Sequence, residues 1–113
     1  MPVEAAIRAI AEPRRREILR LVWTAELAAG EIAGHFEVTR PAISQHLRVL
    51  KEAGLVSERR DGTKRLYRAR PESIAELRAY LESYWDESLR LLKQAAEQEE
   101  QRGNRRDRRH KGN

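Results

Sequence analysis

Val38-Thr39-Arg40-Pro41-Ala42-Ile43-Ser44-Gln45-His46-Leu47-Arg48-Val49-Leu50-Lys51-Glu52-Ala53-Gly54-Leu55-Val56 is the stretch that decides the fold. It carries its own start and stop signals. Thr39 is an N-cap type whose hydroxyl can accept a first-turn N–H, and Pro41 sits where a missing N–H costs nothing. Gly54 is the residue type that ends a helix in a left-handed conformation. At about 100° per residue, Ile43, Leu47 and Leu50 fall within one narrow sector and form the buried side. Gln45 and Arg48 point the opposite way, with Ser44 and Lys51 on one flank and His46 on the other.

Past Gly54-Leu55 the pattern becomes strand-like over roughly Val56 to Arg60, and again over roughly Lys64 to Ala69. Asp61-Gly62 between the two runs predicts a hairpin with a type I′ turn, which needs positive φ at both central residues. Arg59, Arg60, Lys64 and Arg65 cluster around its tip. Upstream, Val3, Ala6, Ile7 and Ile10 recur at helical spacing and stop before Glu12-Pro13, because a residue preceding proline avoids the helical region. Pro13 opens a second helix with Ile18, Leu19, Leu21 and Val22 on its apolar side, fading near Thr24-Ala25. A third, short helix is expected from Ala29 to about Phe36.

From Glu72 the helical pattern returns as a stripe of Ile74, Leu77, Leu81, Tyr84, Leu91 or Leu92, and Ala95. A helix continuing to about Glu100 would be ~43 Å long, more than so small a domain can cover by itself. The stripe needs a partner. Residues 102–113 contain no apolar side chain and are expected to form a basic, disordered tail after a single domain spanning 1–101.

The 113 residues carry 23 Lys and Arg against 18 Asp and Glu, a formal charge of +5. All of that excess sits in residues 102–113, which hold six basic residues and one acid. The body is neutral, but unevenly so. Residues 40–70 hold nine basic residues and three acids, so a positive footprint occupies one contiguous third of the chain.

Helix, helix, short turn, helix and basic hairpin is the order of a winged helix-turn-helix, mainly α with a two-stranded β-wing. In such a unit the second helix of the turn enters the major groove with its N-terminal side chains on base edges. Arg40, Ser44, Gln45 and Arg48 are hydrogen-bonding types suited to that place. A polar helix face alone would be read as merely solvated. A ribbon carrying four cations of one sign is not explained by core packing, nor fully by the protection of an edge strand with charge. Helix and wing together point to double-stranded DNA.

These residues also resemble a family. The runs Ile10-Ala11-Glu12-Pro13-Arg14-Arg15-Arg16-Glu17-Ile18-Leu19, Glu26-Leu27-Ala28-Ala29-Gly30-Glu31-Ile32-Ala33 and Val38 to Val56 are similar to the ArsR/SmtB family of bacterial winged-helix repressors, and the hairpin with Tyr67 continues the likeness. The resemblance spans about residues 3–97, the third run being its most specific part. It implies a homodimer, with helices 1 and 5 forming the interface through Ile7, Ile10, Leu77, Leu81, Tyr84 and Trp85. It also implies repression from a near-palindromic operator. Carried over by position, Arg40, Ser44, Gln45, His46 and Arg48 lie in or beside the major groove. Arg59, Arg60, Lys64 and Arg65 lie at the wing, near phosphates or the minor groove.

The chain departs from the metal-sensing members of that family. It has no cysteine, so Leu27-Ala28-Ala29-Gly30 stands where thiolate sensors carry a cysteine pair. The last helix carries acids, among them Asp86, but no histidine before the tail, which denies zinc its usual nitrogen ligand. His35, His46 and His110 share no ligand spacing. No metal and no cofactor are expected. An enzyme is not expected, because no nucleophile–base pair, phosphate-cradling glycine loop or metal cluster is readable in the sequence. Tyr84 and Trp85 could line a small-molecule effector pocket, although aromatics at helical spacing are more often interface core. The effector, if there is one, is not identified.

No run approaches the ~20 apolar residues of a membrane span, and the N-terminus lacks the apolar stretch of a signal peptide. A cytoplasmic protein is expected. The competing function is a sequence-indifferent nucleic-acid-binding architectural protein, in which wing and tail supply charge alone. The tail would then add affinity through counterion release, rather than serve only as a solubilising extension.

Overall fold

The computed structural model describes residues 2–103, with helix assigned onward to Lys111. The tail expected at 102–113 lies, from residue 104 on, outside the described residues. In chain order the elements are α1 (Val3–Ala11), α2 (Pro13–Leu21), β1 (Leu27–Ala28), α3 (Ala29–Ala33), α4 (Arg40–Glu52), β2 (Val56–Asp61), β3 (Lys64–Ala69) and α5 (Pro71–Lys111). The chain falls into two compact units, Met1–Arg78 and Ala79–Asn113.

In the first unit, Ile18, Val22, Ile32, Ile43, Leu47, Leu50 and Leu55 are wholly removed from solvent. Burying each such side chain contributes roughly 1.5–3 kcal/mol. Three of them are the sector of α4 read from its spacing, so the core fixes which face of that helix remains free. The ends of α4 are equally determined. Thr39 Oγ1 accepts the Ala42 N–H at 3.4 Å. At the other end, Gly54 adopts φ 79°, its N–H reaches Lys51 O at 2.9 Å and the Leu55 N–H reaches Leu50 O at 3.0 Å. That is a Schellman stop, sealed by contact between the apolar residues on either side of the glycine.

The α1–α2 corner turns on charge rather than on a loop. Glu12 caps α2 by accepting the Arg15 N–H at 3.1 Å. Arg15 and Arg16 reach back to the open carbonyls of α1, with Arg15 Nε on Ala9 O at 2.6 Å and Arg16 Nη1 on Ile10 O at 2.7 Å. Cations at a helix C-terminus satisfy carbonyls that no N–H can reach, and they favour its dipole.

The two-stranded wing is present as β2 and β3, and a third strand that the sequence did not indicate joins it. Three strands lie in the antiparallel order β1-β3-β2, with Leu27 opposite Tyr67 and Ala28 opposite Leu66. Two residues cannot display an alternation, so β1 exists only through its pairing with β3. The hairpin turn also sits one residue later than expected. Asp61 pairs with Lys64 inside the ladder, the loop is Gly62-Thr63, and only Gly62 has positive φ, at 64°. This is the II′ arrangement, which asks for glycine at the first loop position only. Asp61 therefore keeps a strand conformation, opposite a lysine.

Helix α3 is shorter than the expected run to Phe36, because the chain turns from Gly34 on. Conversely α5 passes the expected end at Glu100, where Gln101 and Arg102 are good helix formers and Arg102 pairs with Glu99 at 3.6 Å. The first turns of α5 belong to the body, with Leu77 buried and Ile74 packed on the core. From Tyr80 on, the helix bares Tyr84, Trp85, Leu89, Leu91 and Leu92 to solvent.

Candidate nucleic-acid interface

The free face of α4 and the wing enclose a groove of about 700 Å³. Arg40, Ser44, Arg48 and Lys51 line one side of it, and Glu58, Thr63, Lys64, Arg65 and Tyr67 line the other. The spacing of four, four and three along α4 sets its contributors within a sector of about 80°, so they form one stripe parallel to the helix axis. Ala28, Ala29, Gly30 and Glu31 close the groove's end. Five cations and two carboxylates line it. Glu31 is already engaged, accepting the Ala28 N–H at 3.1 Å.

Of the nine residues expected to meet DNA, five line this groove: Arg40, Ser44, Arg48, Lys64 and Arg65. Gln45 is exposed on α4 outside the lining. His46 faces elsewhere. It is half-buried, and Arg15 Nη1 stands 3.4 Å from its Nδ1; a guanidinium only donates, so that ring nitrogen accepts. Its position on the flank opposite Ser44 carries it toward α2.

The pleat of β2 divides the wing cations. Glu58 and Arg60 project to the face shared with Tyr67 and Arg65, their cross-strand partners, whereas Arg59 projects to the opposite face. There it reaches over β3 to Glu26, with Nη2 on Oε1 at 2.6 Å and Nε on Oε2 at 3.1 Å. This two-pronged hydrogen bond holds the Glu26 carboxyl below the ordinary glutamate range and raises Arg59 in turn. Arg59 braces the wing.

Lys51 was missed as a site residue, although its place seven residues after Ser44 put it on the same flank. Glu58 gave no such signal. In the fold its Oε2 lies 3.3 Å from Lys51 Nζ and its Oε1 lies 3.7 Å from Arg65 Nε. Burial first, and then the Glu58 charge, push the neighbouring Tyr67 phenol above its ordinary range. Among the described residues, Arg40, Arg48, Arg60 and Lys64 carry no ion pair.

Of the six residues expected at a dimer interface, Leu77 is only 6% exposed and belongs to the core of its own chain. Ile7 and Ile10 are half-buried against that core, while Leu81, Tyr84 and Trp85 are exposed. Among the described residues, no group of three or more His, Asp or Glu could hold a metal ion. Among the described residues, no helix is long and apolar enough to cross a membrane.

Residues 12–58, from the α2 cap to the middle of β2, match the bacterial regulatory proteins of the arsR family. Over 86 residues the chain is 43% identical to an HTH-type transcriptional regulator of Mycobacterium tuberculosis, covering 76% of this chain and 80% of that one. The chain belongs to the ArsR family. The chain is also 46% identical over 55 residues to the transcriptional repressor SdpR of Bacillus subtilis, covering 49% of this chain and 61% of SdpR. A solved homodimeric winged helix-turn-helix DNA-binding domain from Mycobacterium bovis superposes with a TM-score of 0.62 at 36% identity, covering 75% of this chain and 79% of that domain. The ArsR-family match contains the whole of α4, so the groove-lining stripe lies in the segment that defines the membership.

Proposed function

We propose that this ArsR-family protein is a homodimeric repressor of transcription that binds a near-palindromic operator without a metal cofactor. The observation that carries the reading is the groove itself. One wall is the recognition helix, whose Arg40, Ser44, Arg48 and Lys51 stand in a single stripe, and the other is a wing tipped by Lys64 and Arg65. Seated in the major groove, α4 sets Ser44 and Arg48 at base edges, where a bidentate arginine on guanine is the commonest specific contact. Arg40, Arg60 and Lys64 neutralise phosphates on either side and release counterions. Gln45, exposed beside the stripe, and Arg65 on the wing complete the contact surface.

The exposed stripe Leu81, Tyr84 and Trp85 supports the dimer, because apolar residues of this size left in water cost what a second copy would recover. The Mycobacterium bovis relative is homodimeric. Two recognition helices related by a two-fold axis require two inverted half-sites. A dimer seated on a promoter excludes polymerase, which is repression by occupancy, and SdpR is a repressor.

Gel shifts with a selected duplex, in the presence of scrambled competitor and at rising salt, test this reading. The selected duplex is expected to survive competition after non-specific binding has been titrated away. Parallel loss of affinity for every duplex would replace the repressor with an architectural, sequence-indifferent binder.

A further inference from the structure

The groove holds one acid whose two oxygens each face a different cation. Glu58 Oε2 lies 3.3 Å from Lys51 Nζ on the last turn of α4, and its Oε1 lies 3.7 Å from Arg65 Nε on β3. Its side chain is 19% exposed, against 53% and 59% for the two cations. The carboxylate thus sits at the bottom of the groove, while its partners reach the opening where a phosphate would arrive. Tyr67 opposite it is packed on the core with its phenol beside the carboxylate, and ion pairs that reach solvent as these do contribute little to stability.

We propose that Glu58 is a specificity-determining residue of the DNA interface, competing with phosphate for Lys51 and Arg65. The inference rests on the DNA-binding reading above. Non-specific binding is essentially all charge, so diverting two cations per protomer removes two counterion-release contributions from it. An operator in register offsets the loss of the Glu58 pairs with hydrogen bonds at base edges, and only then are Lys51 and Arg65 handed to phosphate. A duplex out of register has only phosphate contacts to set against that loss, without base-edge hydrogen bonds, and it meets the carboxylate's own repulsion as well. Glu26 does the equivalent on the back face by occupying Arg59, but there no groove is at stake.

The test is Glu58→Gln, which keeps size and hydrogen bonding and removes the charge. Affinity of the full chain for a selected operator and for a scrambled duplex of equal length is measured by fluorescence anisotropy over a salt series. For the scrambled duplex the variant is expected to bind more tightly, with a salt slope steeper by up to about 1.8 per protomer, and the ratio of operator to scrambled affinity is expected to fall. Adding Lys51→Gln to Glu58→Gln returns about half of the added slope. Unchanged scrambled binding overturns the proposal, as does an equal gain on both duplexes, which would make Glu58 a uniform brake. The wild-type arm separates the two readings: a wild-type chain with no preference for the operator refutes the repressor reading, whereas a preference untouched in Glu58→Gln refutes this inference alone. Thermal melting of each variant confirms that folded chains are compared.

Discussion

Arg48→Ala separates the surface of α4 from its core most cleanly. Arg48 is exposed, lines the groove and carries no ion pair, whereas its neighbour Leu47 is wholly buried. Truncating an exposed helical arginine changes stability by no more than about 0.5 kcal/mol, and alanine is the better helix former. Melting temperature should therefore stay within a few degrees of the wild type. Operator affinity should not. A bidentate arginine–base contact contributes roughly 1–3 kcal/mol of discrimination, and a dimer loses two of them. At 1.4 kcal/mol per decade this is a fall of about 30-fold at the least and about 10⁴-fold at the most. Anisotropy titrations against operator and scrambled duplex over a salt series distinguish the kind of contact. Loss of base readout lowers operator affinity selectively with the salt slope unchanged, whereas loss of a phosphate contact lowers both affinities and flattens the slope by about 0.9 per protomer. A variant that unfolds would show that the helix register is wrong. One that binds the operator like the wild type would show that the groove is not the interface.

Three further outcomes are expected. Leu47→Ala empties a fully buried position and should cost about 2–5 kcal/mol in denaturant unfolding, with DNA binding lost only as far as the chain unfolds. Leu81→Glu places a charge in the exposed stripe of α5, and sedimentation should report a monomer that retains the far-ultraviolet spectrum of the wild type. Glu26 titrates below its unfolded value because of Arg59. The unfolded state therefore binds the proton first as pH falls, and the stability this pair contributes is present above about pH 4.3 and lost below it. Glu26→Gln should flatten that acid limb in a series of melting temperatures against pH, leaving the curve above pH 6 parallel to the wild type.

Helix α4 could be read from the sequence because every determinant of it is local. Thr39 starts it, Gly54 stops it, and the three-to-four spacing of Ile43, Leu47 and Leu50 orients it. Features that depend on a partner strand could not be read in this way. Leu27-Ala28 is a strand only because Tyr67 and Leu66 lie beside it. The turn moved by one residue because the Asp61–Lys64 pair closes the ladder, which composition at the tip does not reveal. The candidate site divides along the same line. Arg40, Ser44 and Arg48 follow from helical spacing, and Lys51 would have followed from carrying the stripe one turn further. Arg59 looked equivalent to Arg60 and Arg65 by charge, yet the strand's pleat sends it to the opposite face and onto Glu26. Glu58 was invisible as a groove residue because its role depends on Lys51, seven residues away, and on Arg65 of the facing strand.

The central claim is that two copies of the α4–wing groove read one operator, and selection of bound fragments from random duplex DNA tests it most directly. The expected product is an inverted repeat whose half-site centres are about 10 base pairs apart, or a multiple of that, so that both recognition helices meet the major groove on one face of the duplex. Recovery of fragments with no common sequence, or of a single half-site without its inverted copy, would contradict the account.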